Sequence, residues 1–239
     1  MRTFLKRMLK RTGYELIRYR PHVEDILTRH KFDVVLDVGA NVGQFAVRIR
    51  SRGFNGRIVS FEPVKESFEE LATKSKREGN WIAVNAGLGQ TDSEETMNVA
   101  RSSVYSSLLR PRALIENFAG PAIEISAREQ VVVRTLDSLY SSYVHNSETV
   151  FLKIDTQGFE KQVLYGAISS LKHIKGVQVE LSLSPLYEGE ASLEDVTCFL
   201  QQCGFSLALI DPVTYDSRKG ILLQVDCIFI KNNFGPFAK

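Results

Sequence analysis

The chain has 239 residues, 44% hydrophobic and 24% charged, with 16 glycines; that is enough apolar sequence for one packed domain, and no segment has the composition of a disordered tract. Thirty basic against 28 acidic residues give a net charge of +2, so the molecule as a whole carries no field that would gather nucleic acid. Cys198, Cys203 and Cys227 form no CxxC pair and no Cys/His zinc spacing, which argues against a disulfide framework and fits a reducing cytoplasm.

The first twenty residues hold seven basic side chains and one glutamate, leaving the rest of the chain with four more acidic than basic residues. At 100° per residue, Phe4, Leu5, Met8, Leu9 and Thr12 share one arc while Lys6, Arg7, Lys10 and Arg11 take the other. Residues 1–31 therefore read as a basic amphipathic helical extension. Its charges interrupt every apolar run near the start, unlike an export signal, and no stretch has transmembrane length. The helix fits docking on the domain, or contact with an anionic membrane or lipid-linked substrate at the inner face of the membrane.

From residue 32 to 239, β-branched runs alternate with helical periods, the pattern of repeated βαβ units around a parallel sheet. Strands are expected near 33–38, 57–62, 81–86, 150–155 and 176–183, and helices near 43–52, 64–78, 158–171 and 192–203. Residues 204–211 and 222–231 add a terminal hairpin that places one antiparallel strand in the sheet. The fold class is α/β, a doubly wound, mostly parallel seven-stranded sheet. Residues 100–130 show no sustained period and are broken by Pro111, Gly120 and Pro121, so they read as an insertion over the substrate.

Chemistry concentrates where the first strand ends. Val34-Val35-Leu36-Asp37-Val38-Gly39-Ala40-Asn41-Val42-Gly43 is an apolar strand with an acidic tip and a glycine turn opening a helix. Gly39 and Gly43 let backbone approach a ligand, and Asp37, read as the exposed end of its strand, can accept hydrogen bonds from an ammonium group. A dinucleotide fingerprint would need glycine where Asn41 and Gln44 stand, which disfavours a nicotinamide or flavin oxidoreductase. Glu62 closes the second strand in Phe61-Glu62-Pro63, the place of the ribose-clamping carboxylate in nucleoside-binding α/β folds.

With both turns in place the chain resembles the class I methyltransferases and, more narrowly, the FkbM family, over roughly residues 30–231. The narrower likeness rests on Thr135-Leu136-Asp137-Ser138-Leu139, on Leu152-Lys153-Ile154-Asp155-Thr156-Gln157-Gly158-Phe159-Glu160, on Val163-Leu164-Tyr165-Gly166-Ala167 and on Val179-Glu180-Leu181. The resemblance implies a Rossmann-like methyltransferase domain and O-methylation with S-adenosyl-L-methionine, commonly on a sugar hydroxyl of a glycan, glycolipid or natural product. By position, the segment Asp37, Gly39, Ala40, Asn41 and Gly43 would hold the methionine end, Glu62 the ribose, and Asn85 and Ala86 would lie along the adenine. Ser106 and Ser107, in a serine-rich part of the insertion, are expected near methyl donor or acceptor. Family members often carry Glu where this chain has Gln157, so a metal held by clustered carboxylates is not expected.

Methyl transfer is an in-line displacement, so alignment is the main task, and the acceptor hydroxyl must lose a proton. Asp155 and Glu180, at carboxyl ends of strands, are the candidate bases. Lys153 shares a strand face with Asp155 and either pairs with it or positions a substrate oxygen. Two rivals remain: a module that binds the methyl donor without chemistry, and an RNA methyltransferase, which the acidic balance of the core disfavours.

Overall fold

The computed structural model describes residues 22–235 together with Met8 and Thr12; apart from those two residues, the amphipathic helix expected at the start lies outside the described residues. In chain order the elements are α1 (Val23–Arg29), β1 (Val34–Val38), α2 (Gln44–Ser51), β2 (Arg57–Phe61), α3 (Lys65–Ser75), β3 (Trp81–Val84), β4 (Gly87–Leu88), β5 (Ser93–Ala100), α4 (Ala113–Ala119), β6 (Ile125–Arg134), α5 (Leu136–Tyr143), β7 (Val150–Ile154), α6 (Glu160–Tyr165), β8 (Gly176–Ser182), α7 (Leu193–Gln202), β9 (Phe205–Asp216) and β10 (Ile221–Lys231).

The seven-stranded sheet has the order β3-β2-β1-β7-β8-β10-β9. β1 pairs in parallel with β2 and with β7, whereas β10 runs antiparallel to both β8 and β9. Every residue of β1 and β7 is buried, as expected for central parallel strands covered on both faces. One face carries Leu36, Val59, Leu152, Val177 and Phe229; the other carries Val35, Ile58, Phe151 and Ile228. Each such side chain stabilises the fold by about 1.5–3 kcal/mol relative to exposure. Helix α1, within the stretch read as an extension, buries Val23 and Leu27 in the second of these clusters.

Three features differ from the sequence reading. A second sheet, β4-β6-β5, stands beside the main one; β5 and β6 are largely exposed, so neither shows a two-residue apolar alternation. The insertion carries a 3₁₀ turn at Ser103–Tyr105 and helix α4 around a small core of Ile115, Ile123, Leu186 and Tyr187. The helix expected over 158–171 ends at Tyr165 and gives way to a turn and a 3₁₀ segment at Ser170–Lys172; a Cβ on Gly166, where the turn begins, would lie 1.9 Å from the Gly89 carbonyl oxygen, so glycine is required there. No helix among the described residues is long and apolar enough to cross a membrane.

Candidate functional site

The sheet reverses its winding between β1 and β7, and the crevice beyond the carboxyl ends of strands at such a point is where doubly wound folds bind ligands. A cavity of about 390 Å³ opens there, walled by the turns after β1, β2 and β7, by Gly87 and Leu88, by the Ser103–Ser106 turn and by Val213, Thr214 and Gln224 of the terminal hairpin. Its first wall is backbone. Gly39, Asn41 and Gly43 all have positive φ, at 71°, 48° and 85°, and the Gly39 and Ala40 N–H groups donate to the Phe61 carbonyl at 3.1 Å each. A Cβ on Gly39 would sit 1.9 Å from the Asp155 carbonyl oxygen, so only glycine fits. Gly43 faces Trp81 and Leu71 instead of the cavity.

Glu62 follows β2 and is buried but lines the cavity. Its Oε2 accepts from Asn41 N–H at 2.8 Å and its Oε1 from Val64 N–H at 2.9 Å. Burial pushes its carboxyl up to about 7, against the lowering by those two N–H groups. Each oxygen keeps a free lone pair, so the carboxylate can still accept two hydroxyls. Asn85 and Ala86 lie just behind this wall and do not line it: Asn85 Nδ2 donates to the Glu62 and Pro63 carbonyls at 3.0 and 3.1 Å, and Ala86 is buried.

Asp37 requires a correction. It is not the exposed tip of a strand but is 0% exposed and off the cavity wall. In register it lies between Ser60 of β2 and Lys153 of β7. Ser60 Oγ donates to Oδ2 at 3.1 Å, and Lys153 Nζ sits 3.2 Å from Oδ1. Trp81 Nε1 donates to Ser60 Oγ at 3.0 Å. Lys153 in turn approaches Asp155 Oδ2 at 3.3 Å and donates to the Gly39 carbonyl at 3.2 Å. Burial alone would lower its ammonium, but Asp155 and Asp37 outweigh it and hold Lys153 above its ordinary value. The pair expected between Lys153 and Asp155 is thus present, with Asp37 as its second anchor.

Next to the backbone wall, where Asp155 packs against Gly39, the cavity is acidic. Asp155 and Glu180 line it together and are bridged by Gln157, whose Nε2 donates to Asp155 Oδ1 at 3.0 Å and to Glu180 Oε2 at 2.8 Å. Gln224 Nε2 adds a second donor to Glu180 Oε2 at 2.8 Å. Burial, then Asp155 and Asp226, push Glu180 well above the carboxylate range. Asp226, its cross-strand partner on β10, is itself raised to about 6 by burial and Asp155. Ser106 lines the cavity and its Oγ accepts from Ala100 N–H, whereas Ser107 lies off the wall and donates to the Gln157 carbonyl at 2.7 Å. Ser103 Oγ donates to Asn41 Oδ1 at 2.9 Å, tying the insertion to the first turn.

Sequence reasoning passed over Gln44, Tyr105, Gln157, Val213, Thr214 and Gln224 as wall residues. Three of them carried a signal, Gln44 directly after the Asp37–Gly43 turn, Tyr105 amid the serine-rich segment and Gln157 inside the Lys153–Glu160 motif; Val213, Thr214 and Gln224 reach the cavity only through the hairpin's place in the sheet.

The profile of the Methyltransferase FkbM domain matches residues 37–207. No curated protein matches the sequence. Among solved structures, the methyltransferase FkbM from Methylobacillus flagellatus KT aligns with a TM-score of 0.51 at 15% identity, over 82% of this chain and 43% of that one. This chain thus spans less than half the length of that relative. TrmK of M. capricolum, solved with its natural cofactor product S-adenosyl-homocysteine, aligns with a TM-score of 0.50 at 5% identity, over 91% of this chain and 71% of that one. At such identities these likenesses are of fold.

Proposed function

Because the chain belongs to the FkbM methyltransferase family, we propose that it transfers the methyl group of S-adenosyl-L-methionine to a hydroxyl of a small-molecule or glycan acceptor, a sugar hydroxyl above all. The observation that carries this reading is Glu62, a carboxylate held by two backbone N–H groups with lone pairs left over, on the wall of a cavity at the winding reversal. Around it the cavity suits each part of the methyl donor. Gly39, Ala40, Asn41 and Gln44 offer a close backbone and one amide to an amino-acid tail, and Pro63, Gly87 and Leu88 offer an apolar slot to a base. Gly43, Asn85 and Ala86 shape the turns from behind, and Asp37 acts at one remove, through Lys153 on the Gly39 carbonyl.

When bound, the methyl donor supplies an electrophilic methyl group on a sulfonium leaving group. The protein's share is to hold the acceptor oxygen in line and to take its proton. Asp155, held by Lys153 and Gln157, accepts a hydrogen bond from the acceptor hydroxyl, and Glu180 in its ionised form removes the proton. Asp155, Glu180 and Glu62 line the cavity with Lys153 as the one cationic side chain among its described residues, already paired with Asp37 and Asp155, which favours a neutral polyol over a phosphate backbone. In this scheme residues 32–239 form the catalytic domain, residues 100–130 close over the acceptor, and Ser106 and Ser107 brace that side. The enzyme works in the cytoplasm without a metal, the Lys153 ammonium already standing between Asp37 and Asp155.

The test is incubation with methyl-labelled S-adenosylmethionine and fractionated cell small molecules, glycans, glycolipids and RNA. Label is expected in a small-molecule, glycan or glycolipid fraction in an alkali-stable ether. Label in RNA alone, or in no fraction, refutes the proposal.

A further inference from the structure

Gln157 occupies a position that a carboxylate-lined cavity does not require, and its hydrogen bonds are fully committed. Both Nε2 hydrogens are spent, one on Asp155 and one on Glu180. Its Oε1 accepts from the Tyr187 hydroxyl at 2.9 Å. Turned over, the amide would take its two hydrogens away from Asp155 Oδ1 and Glu180 Oε2, leaving Asp155 to Lys153 and Glu180 to Gln224 alone, and would set its NH2 group against the Tyr187 hydroxyl.

Tyr187, in the loop after β8, stands outside the cavity wall and is 1% exposed, in the small core that this loop forms between Leu186 and the insertion's Ile115 and Ile123. Its backbone is fixed from two sides: its N–H and that of Leu186 donate to Glu190 Oε2 at 3.0 and 2.6 Å, and it bridges to Pro111. Gln157 has φ of 52°, and a Cβ on the next residue, Gly158, would lie 2.9 Å from the Tyr187 Cβ. The turn is therefore pressed against the tyrosine.

We propose that Gln157 holds Asp155 and Glu180 together as one acceptor-binding pair, and that Tyr187 is the positioning residue that fixes the face of the amide presented to them. The inference rests on the methyl-transfer reading for its purpose, but on hydrogen-bond geometry for its content. It also gives the insertion a task beyond cover: Ile115 and Ile123 pack on the loop after β8 and hold there the residue that sets the orientation of a group in the catalytic turn. The charges facing Glu180 are Lys153 from β7, Asp155 directly after it, Asp226 from β10 and Glu160 from α6, with Tyr105 from the insertion and Tyr187 from the loop after β8. Among them the Gln157 and Gln224 amides are the neutral donors to its carboxylate. Fixed donors favour the ionised form, so loosening one shifts the titration of Glu180 upward.

The experiment follows the carbon-13 carboxyl resonance of Glu180 with pH in the full chain labelled at glutamate side chains, the resonance identified by its loss in Glu180→Gln. In Tyr187→Phe, which removes one hydroxyl and keeps the ring, the midpoint is expected to rise by about half a pH unit or more, and in Gln157→Glu by more. Affinity of Tyr187→Phe for S-adenosylhomocysteine stays within about twofold, since Tyr187 is not on the cavity wall. An unmoved or lowered Glu180 midpoint in Tyr187→Phe overturns the inference, even where its melting temperature falls, because that is the mark of a structural role alone. If the wild-type chain fails to bind S-adenosylhomocysteine, the methyl-transfer reading falls, and the titration still decides the role of Tyr187.

Discussion

On one stretch of the cavity wall the contacts are made by backbone: the positive-φ residues Gly39 and Asn41, the N–H groups of Gly39 and Ala40 on the Phe61 carbonyl and those of Asn41 and Val64 on one lining carboxylate, Glu62, all contributed within residues 39–64. On the other they are made by side chains gathered from β7, β8, the insertion and the terminal hairpin, more than a hundred positions apart in the chain. The first kind of wall tolerates almost no change, since backbone cannot be exchanged for another group. The second is a set of replaceable side chains on a fixed frame, the arrangement by which one fold serves many acceptors.

The contrast breaks most severely at Gly39. In Gly39→Ala the Cβ overlaps the Asp155 carbonyl in a conformation disfavoured for alanine, so a loss of about 4 kcal/mol or more is expected, together with nucleoside binding. Denaturant unfolding and calorimetry would measure both. Next is Asp37→Asn, which leaves the buried Lys153 short of one of its two carboxylates. A loss of about 3 kcal/mol in unfolding free energy is expected, in place of the purely local binding defect that a strand-tip residue would give.

Much of the backbone wall was legible in the sequence, and the reason is locality. Gly39, Gly43 and Glu62 sit at places set by the strand-turn-helix pattern itself, so spacing identifies them. Asp37 was legible as chemistry but not as depth: its burial depends on Ser60 and Lys153 flanking it in register, which one strand does not reveal. β5 and β6 escaped because their side chains are mostly exposed and their partners lie some thirty residues apart. Tyr187 and Gln157 meet only because β7 and β8 lie side by side in the sheet and bring their following loops together, and no periodicity encodes that meeting.

Smaller effects sharpen the comparison. Glu62 and Glu160 are both held up at about 7 from an ordinary 4.5, chiefly by burial. A raised carboxyl binds its proton more tightly in the folded state, so this stability is complete below the unfolded value and is lost as pH rises through about 7. Because of these two groups, the empty protein should melt at a higher temperature near pH 6 than near pH 8, as scanning calorimetry would register. Smallest of all, Thr214→Ala on the acceptor wall should leave nucleoside affinity within about twofold while changing the transfer rate. Equal losses in both would show that the two walls are one site.

The most direct test is titration of S-adenosylhomocysteine into the wild-type chain and Glu62→Gln by calorimetry at pH 6, 7 and 8. Two hydroxyls on an ionised carboxylate predict affinity that strengthens from pH 6 to pH 8 in the wild type and falls by about tenfold or more in the variant, with the pH dependence lost. Equal affinity in both proteins at all three values would contradict the assignment of this cavity to the methyl donor.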